Sequence, residues 1–212
     1  MSRYLGRVCA EPVAGCLWYY DPMRPTIAEL LLKERDVMQL AYVMTRDRGA
    51  TDRLLSELAD RLQAQGTVLA GIVQTNTECH DDALCDMDVR VLPMGETIRI
   101  SQSLGPKARG CRLDPAALEQ AVAQVTNSLQ GTPLPEVLLV NKFGKHEADG
   151  RGMRPVIGEA IALGVPVITG VNALNVDAFQ EFADGLAVAV DPSVKALMTW
   201  LTQAQQSRQT GA

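Results

Sequence analysis

From residue 38 onward the chain alternates short apolar runs with segments whose apolar residues recur every three or four positions, and no other feature restricts its folding as much. The runs "MQLAYVMT" (38–45), "VLAGIVQ" (68–74), "VLLV" (137–140), "VPVITGV" (165–171) and "LAVAV" (186–190) are apolar almost throughout. A strand with one wet face would alternate apolar with polar residues, so these runs are expected of strands covered on both faces. The intervening segments read as helices. "TDRLLSELADRLQAQG" spaces Leu54, Leu55, Leu58 and Leu62 along one side and ends at Gly66, a C-cap glycine. "LDPAALEQAVAQVTNSLQG" offers Asp114 as N-cap, Pro115 at the first helical position and an apolar face of Leu118, Val122, Val125 and Leu129. Further helices are predicted over 154–163, closed by Gly164, and over 176–182. A last one is predicted to be capped by Asp191 and begun by Pro192. The fold expected is α/β, a three-layer α/β/α sandwich with a mainly parallel sheet. Residues 87–92 and 97–102, around "PMGE", are expected to insert a β-hairpin into it.

Residues 1–37 follow no such period. They carry Pro12, Pro22 and Pro25 with Tyr4, Trp18, Tyr19 and Tyr20, and read as an irregular extension before a single domain over 38–212. Met38 is expected to be the native start, because Lys33 and Glu34 could be encoded by a purine-rich ribosome-binding sequence; an authentic extension is the alternative. A chain of 212 residues, 47% hydrophobic, has enough material for one sizeable core. The net charge of -5 excludes a general nucleic-acid binder, whose affinity rests on a basic surface, so any anion site must be local. No apolar run approaches the ~20 residues of a membrane span. Five irregularly spaced cysteines and the lack of a signal-like start lead to the expectation of a soluble protein in a reducing cytoplasm.

In sheets of this kind ligands gather at the carboxyl ends of the strands, where loops enter helix N-termini. Three loops there attract attention. "TRDRGATDRLL" (45–55) follows the first strand; a phosphate-binding loop in that place reads G-x-x-x-x-G-K-[ST]. Gly49 and Thr51 match its end, with Arg48 beside them, but Ala50 stands at the lysine and Met44 at the leading glycine. The alternative is an ordinary N-capping turn. "TIRISQSLGPKARGCRL" (97–113) holds Arg99, Lys107, Arg109 and Arg112 without an acid, a local positive cluster suited to oxyanions unless its arginines pair with surface carboxylates. "NKFGKHEADGRGMR" (141–154) holds Lys142, Lys145, Arg151 and Arg154 against Glu147 and Asp149, and Gly144, Gly150 and Gly152 would let the backbone approach a ligand. Magnesium needs carboxylate oxygens and Lys142 would repel it, so this loop suits an anion.

Other groupings carry less. "ECHDDALCD" (78–86) bunches cysteine, histidine and aspartate, but at no standard zinc spacing, and no metal site is expected. His146 beside Glu147 could be an acid/base pair, yet neighbours on a loop seldom face one substrate and no nucleophile accompanies them. Cys111 reads as a small buried residue rather than a reactive thiol.

Two stretches, "RISQSLGPKARGCRLDPAAL" and "LLVNKFGKHEADGRG", resemble a bacterial domain-of-unknown-function family whose genes often lie beside molybdate ABC-transporter genes, over residues 38–190. That family in turn is similar to a degenerate branch of the small P-loop nucleoside triphosphatases, whose third strand ends in Asp-Glu, then a glycine, then a glutamate. The resemblance implies that Asn141 stands for the metal-holding aspartate and Lys142 for the catalytic glutamate, while Gly144 and Glu147 persist. It also implies that Ala50 replaces the phosphate-activating lysine and Thr51 keeps the hydroxyl. Phosphoryl transfer depends on positioning and on charge neutralised by metal and lysine, so little catalysis is expected.

The function expected is that of a cytoplasmic accessory protein without catalytic residues, binding molybdate, another small oxyanion or a nucleotide phosphate. Arg48, Gly49, Thr51, Lys107, Arg109, Arg112, Asn141, Lys142, Lys145, Glu147 and Arg151 would bind it. The link to molybdate, and to transporter or molybdoenzyme components as partners, comes from the resemblance alone. Two alternatives stand beside it: an active nucleoside triphosphatase in which Lys107 or Lys145 replaces the missing lysine, and a regulatory or scaffold partner with no small ligand.

Overall fold

The computed structural model describes residues 39–76, 86–102 and 112–210. All of them belong to one compact unit, Met38–Ala212; the other unit, Met1–Val37, lies outside the described residues, as does the "ECHDDALC" stretch. The chain runs through β1 (Leu40–Val43), α1 (Ala50–Ala64), β2 (Leu69–Asn76), β3 (Met87–Leu92), β4 (Thr97–Arg99), α2 (Pro115–Leu129) and β5 (Val137–Phe143). It continues through α3 (Lys145–Ala148), α4 (Arg154–Ala162), β6 (Val167–Val171), α5 (Val176–Ala183), β7 (Ala187–Ala189) and α6 (Val194–Thr210).

The seven strands form one sheet in the order β4-β3-β2-β5-β6-β1-β7. β2, β5, β6, β1 and β7 are mutually parallel, and β3 and β4 continue the sheet as an antiparallel hairpin on β2, as the sequence predicts. Two cores cover the faces. On one, Leu55, Leu58 and Leu62 of α1 meet Leu197 and Leu201 of α6 over Ala41, Val43, Leu139 and Ile168. On the other, Leu118 and Val125 of α2, Val156 and Ile157 of α4 and Phe179 of α5 pack over Leu40, Leu138, Val140 and Val167. Successive strand residues alternate between the two cores, which is why nearly every position of the inner strands must be apolar. The three phenylalanines of the chain collect in the second core: Phe143 lies 5.2 Å from Phe179 and 5.4 Å from Phe182, and Tyr42 lies 5.1 Å from Phe179.

Three details depart from the sequence reading. The final helix begins at Val194, and Ser193, not Asp191, caps it: its Oγ accepts from the Ala196 N–H at 3.2 Å. Pro192 therefore lies in the turn before the helix. β4 stops at Arg99, and beyond it Ser101 forms an isolated antiparallel bridge to Leu113. Lys145–Ala148, read as loop, forms the one-turn α3. Among the described residues no helix is long and apolar enough to cross a membrane.

Candidate functional site

Val43 ends β1, and Gly170 and Asn141 lie near the carboxyl ends of β6 and β5. β1 pairs Val43 with Gly170, and a Cβ on Gly170 would overlap Thr51 Cγ2 and the Asn141 carbonyl. Glycine at 170 thus lets the first turn of α1 sit against the sheet. Gly49, at φ 73° in the left-handed region, turns the chain into α1 as its N-cap, and its carbonyl accepts from the Arg53 N–H at 3.1 Å. Across the loop the hydroxyls of Thr45 and Thr51 lie 2.7 Å apart, and the Ala50 N–H donates to the Asp47 carbonyl at 3.2 Å.

Asn141, 2% exposed, joins this turn to its neighbours. Its Nδ2 donates to Asp52 Oδ1 at 2.9 Å and its Oδ1 accepts the Gln74 backbone N–H, also at 2.9 Å. β5 then bulges: it advances from Val140 to Phe143 while β6 advances from Thr169 to Val171. The extra residue brings Val140 and Phe143 into the same core and leaves Lys142 exposed at the rim. Bulges recur beside sites because they re-aim one side chain without breaking the sheet. Arg48, Lys145 and Arg151 are likewise exposed, Arg151 reaching Asp149 at 3.4 Å.

Glu147 and the glycines have internal roles. Glu147, 5% exposed, accepts the Gly144 N–H at 2.9 Å with one oxygen and the Met153 N–H at 3.2 Å with the other. A Cβ on Gly152, at φ 58°, would lie 2.5 Å from Glu147 Oε1, so this glycine lets the backbone approach a carboxylate of the chain itself. Arg154 spreads over the Phe182 ring, 4.7 Å from its centroid. His146 pairs with Glu119 of α2 at 3.2 Å, not with its sequence neighbour Glu147.

Arg112, in the second cluster, is occupied. Its Nε donates to the Gln102 carbonyl at 3.0 Å and its Nη2 reaches Asp86 Oδ1 at 3.3 Å. Arg99 meets Asp86 at 3.0 Å and Asp88 at 3.1 Å. The hydrogen bond that Arg99 donates to Asp88 and the charge of Asp86 raise the Arg99 pKa above its ordinary value. Because the folded pKa is raised, the stabilisation is fully present below the ordinary arginine range and is lost only at more alkaline pH. Asp86 precedes Met87, which pairs with Asn76 at the end of β2, so this network shares the carboxyl edge but lies toward the hairpin, away from Asn141. Lys107, Arg109 and Cys111 lie outside the described residues.

The structure thus brings Gly49, Thr51 and Asn141 together and adds three participants that the sequence reading missed: Thr45, Asp52 and the Gln74 backbone. Asp52 had a local signal, being an acid directly after the motif-matching Thr51; a backbone N–H has none. Chemically the edge offers a helix N-terminus, two hydroxyls and one carboxylate already hydrogen-bonded to an amide. Among the described residues no group of three or more histidine, cysteine, aspartate or glutamate side chains is arranged to hold a metal ion.

The fold is shared with THEP1 of the hyperthermophile Aquifex aeolicus, whose crystal structure superposes with a TM-score of 0.50 at 13% identity, over 77% of this chain and 95% of that one. A molybdenum import ATP-binding protein, ModC 2 of Bradyrhizobium diazoefficiens, is 31% identical over 169 residues, which are 79% of this chain but only 18% of that longer protein. The family described as "Protein of unknown function (DUF2478)" matches residues 40–200, well over half of the sequence, and the chain belongs to that family.

Proposed function

We propose that the domain binds a nucleotide phosphate or a small oxyanion such as molybdate at the carboxyl edge beside Asn141, and that it does so as a catalytically degenerate accessory protein. The observation that carries this reading is Asn141 itself. Near the carboxyl end of β5, where a metal-holding carboxylate is expected of a P-loop enzyme, stands a buried amide committed to Asp52 and Gln74, followed by an exposed lysine. An anion in that place would be neutralised by cationic side chains and the N-terminus of α1 rather than by magnesium. The fold shared with THEP1 is consistent with a nucleotide, and the printed name of the ModC relative supports both ATP and a molybdenum context. A cytoplasmic location and transporter or molybdoenzyme partners belong to the same proposal, as does the division of the chain at residue 38.

Calorimetric titration with molybdate, tungstate, phosphate and ATP, each with and without magnesium, tests it. The expected result is metal-independent binding of at least one of them, weakened by Lys142→Ala. No heat from any of the four at millimolar concentration would overturn it.

One observation favours a second reading, residual hydrolysis. Thr51 and Asp52 place a hydroxyl and a carboxylate together at the start of α1, and one carboxylate with substrate phosphates can suffice for magnesium. Magnesium-dependent phosphate release abolished in Asp52→Asn, or in Lys145→Ala, would support that reading.

A further inference from the structure

On the opposite face of the sheet from Asp52 and α1, a groove opens between the first turns of α2 and the junction of α3 with α4. Its volume is about 510 Å³, and Pro115, Ala116, Val122 and Pro155 supply its apolar wall. That volume falls within the roughly 300–1,000 Å³ typical of small-molecule sites. Three polar side chains border it: Glu119, His146 and Arg151.

These three are not a random surface. The His146 side chain is only 9% exposed and is fixed by Glu119 at 3.2 Å, and the same Glu119 oxygen accepts the Gly152 N–H at 3.2 Å. The backbone at Gly152 closes over the ring, and a Cβ there would stand 2.9 Å from His146 Cδ2. A carboxylate only accepts, so Nε2 carries a proton in this contact and Nδ1 is left as the second polar atom of the ring. Among the described residues Nδ1 has no hydrogen-bond partner, whereas no buried side-chain nitrogen or oxygen lacks one, so Nδ1 is open to solvent. Arg151 is 60% exposed and, among the described residues, its side chain pairs with Asp149 at 3.4 Å, which leaves most of its five donors for another acceptor. The groove therefore combines an oriented imidazole nitrogen, a cation with spare donors and an apolar wall.

We propose that this groove is a second ligand site, specific for a small amphiphilic anion. Arg151 takes the anionic end, a hydroxyl group hydrogen-bonds to His146 Nδ1, and the hydrocarbon body lies on Pro115, Val122 and Pro155. This site does not depend on the carboxyl-edge reading.

The chain contains two histidines, His80 and His146, so the imidazole NMR signals are few and a His80→Gln variant assigns them. The probe is 4-hydroxybenzoate, compared with benzoate, which lacks the hydroxyl, and with 4-hydroxybenzyl alcohol, which lacks the charge. The expected result is a saturable shift of the His146 signals by 4-hydroxybenzoate, with each comparison compound binding at least about tenfold more weakly, the worth of one good polar contact. Arg151→Ala, a change at an exposed position, should weaken 4-hydroxybenzoate similarly and leave the His146 signals of the free protein in place. Absence of a saturable shift up to about 10 mM, or a shift that Arg151→Ala leaves unaltered, would overturn the proposal.

Discussion

The side chain of Asn141 donates at one end and accepts at the other, a combination that a carboxylate cannot reproduce. Asn141→Asp keeps the shape, removes the donor, and sets a second acid where Nδ2 now lies 2.9 Å from Asp52. Loss of a buried hydrogen bond costs about 1–3 kcal/mol, and like charge in a buried place adds to it. Asn141→Asp should therefore lower the urea midpoint, and magnesium should restore part of the loss by binding between the two carboxylates. An unchanged midpoint would contradict the role given to the amide, and a loss indifferent to magnesium would show that the geometry cannot be returned to a metal site. The sequence reading located Asn141 and its exposed neighbour Lys142, because a strand end followed by a polar run is a local signal. It could not find Asp52, 89 residues away, since that contact exists only once β1 and β5 are in one sheet. The internal bonds of Glu147 were hidden for a related reason. On a loop a charged residue reads as available, and only the fold reveals that its oxygens are spent on the Gly144 and Met153 N–H groups.

For secondary-structure elements the sequence is informative wherever an apolar face is long enough to state its period. α1 and α2 lie where the leucine and valine spacing predicts, and Asp114 accepts from the Ala116 and Ala117 N–H groups as an N-cap should. The start of α6 was legible only to within two residues, because Asp191, Pro192 and Ser193 each carry a helix-start signal and the pattern cannot rank them. Hydrogen bonding does rank them. Ser193→Ala should cost about 1 kcal/mol, the usual worth of an N-cap. Asp191→Ala should change thermal stability far less, and equal losses at the two positions would refute the assignment. α3 was invisible for a different reason: four residues, Lys145–Ala148, cannot display a helical period. The bulge after Val140 escaped notice too, because an extra residue in a strand shows itself only against its partner, β6.

Across the whole molecule, burial is graded along the sheet. β5 and β6 occupy its interior, with all five residues of β6 and six of seven in β5 buried, whereas β4 and β7 are three-residue edges with exposed positions. Amides exchange through local opening where few apolar contacts hold an element, and through global unfolding where an element is covered on both faces. Native-state hydrogen exchange should therefore be slowest at Leu138, Leu139, Val140 and Ile168, at rates set by global stability and sensitive to denaturant throughout. β4 should exchange faster by local fraying, with little dependence on denaturant at low concentrations. β3 should fall between them, since it pairs on both sides but is tied to α1 by an exposed contact, Arg90 to Asp60 at 2.6 Å. Such surface pairs contribute little, so Asp60→Asn should accelerate β3 only slightly and leave β5 unaffected. If β4 were as protected as β5, the hairpin and the parallel strands would be one cooperative unit, and the gradient drawn from burial would be wrong. The same gradient bears on the carboxyl edge: Asn141 lies in β5, at the buried interior of the sheet, and Arg99 in β4, its short edge strand, so the contacts of Asn141 should open less readily than those of Arg99.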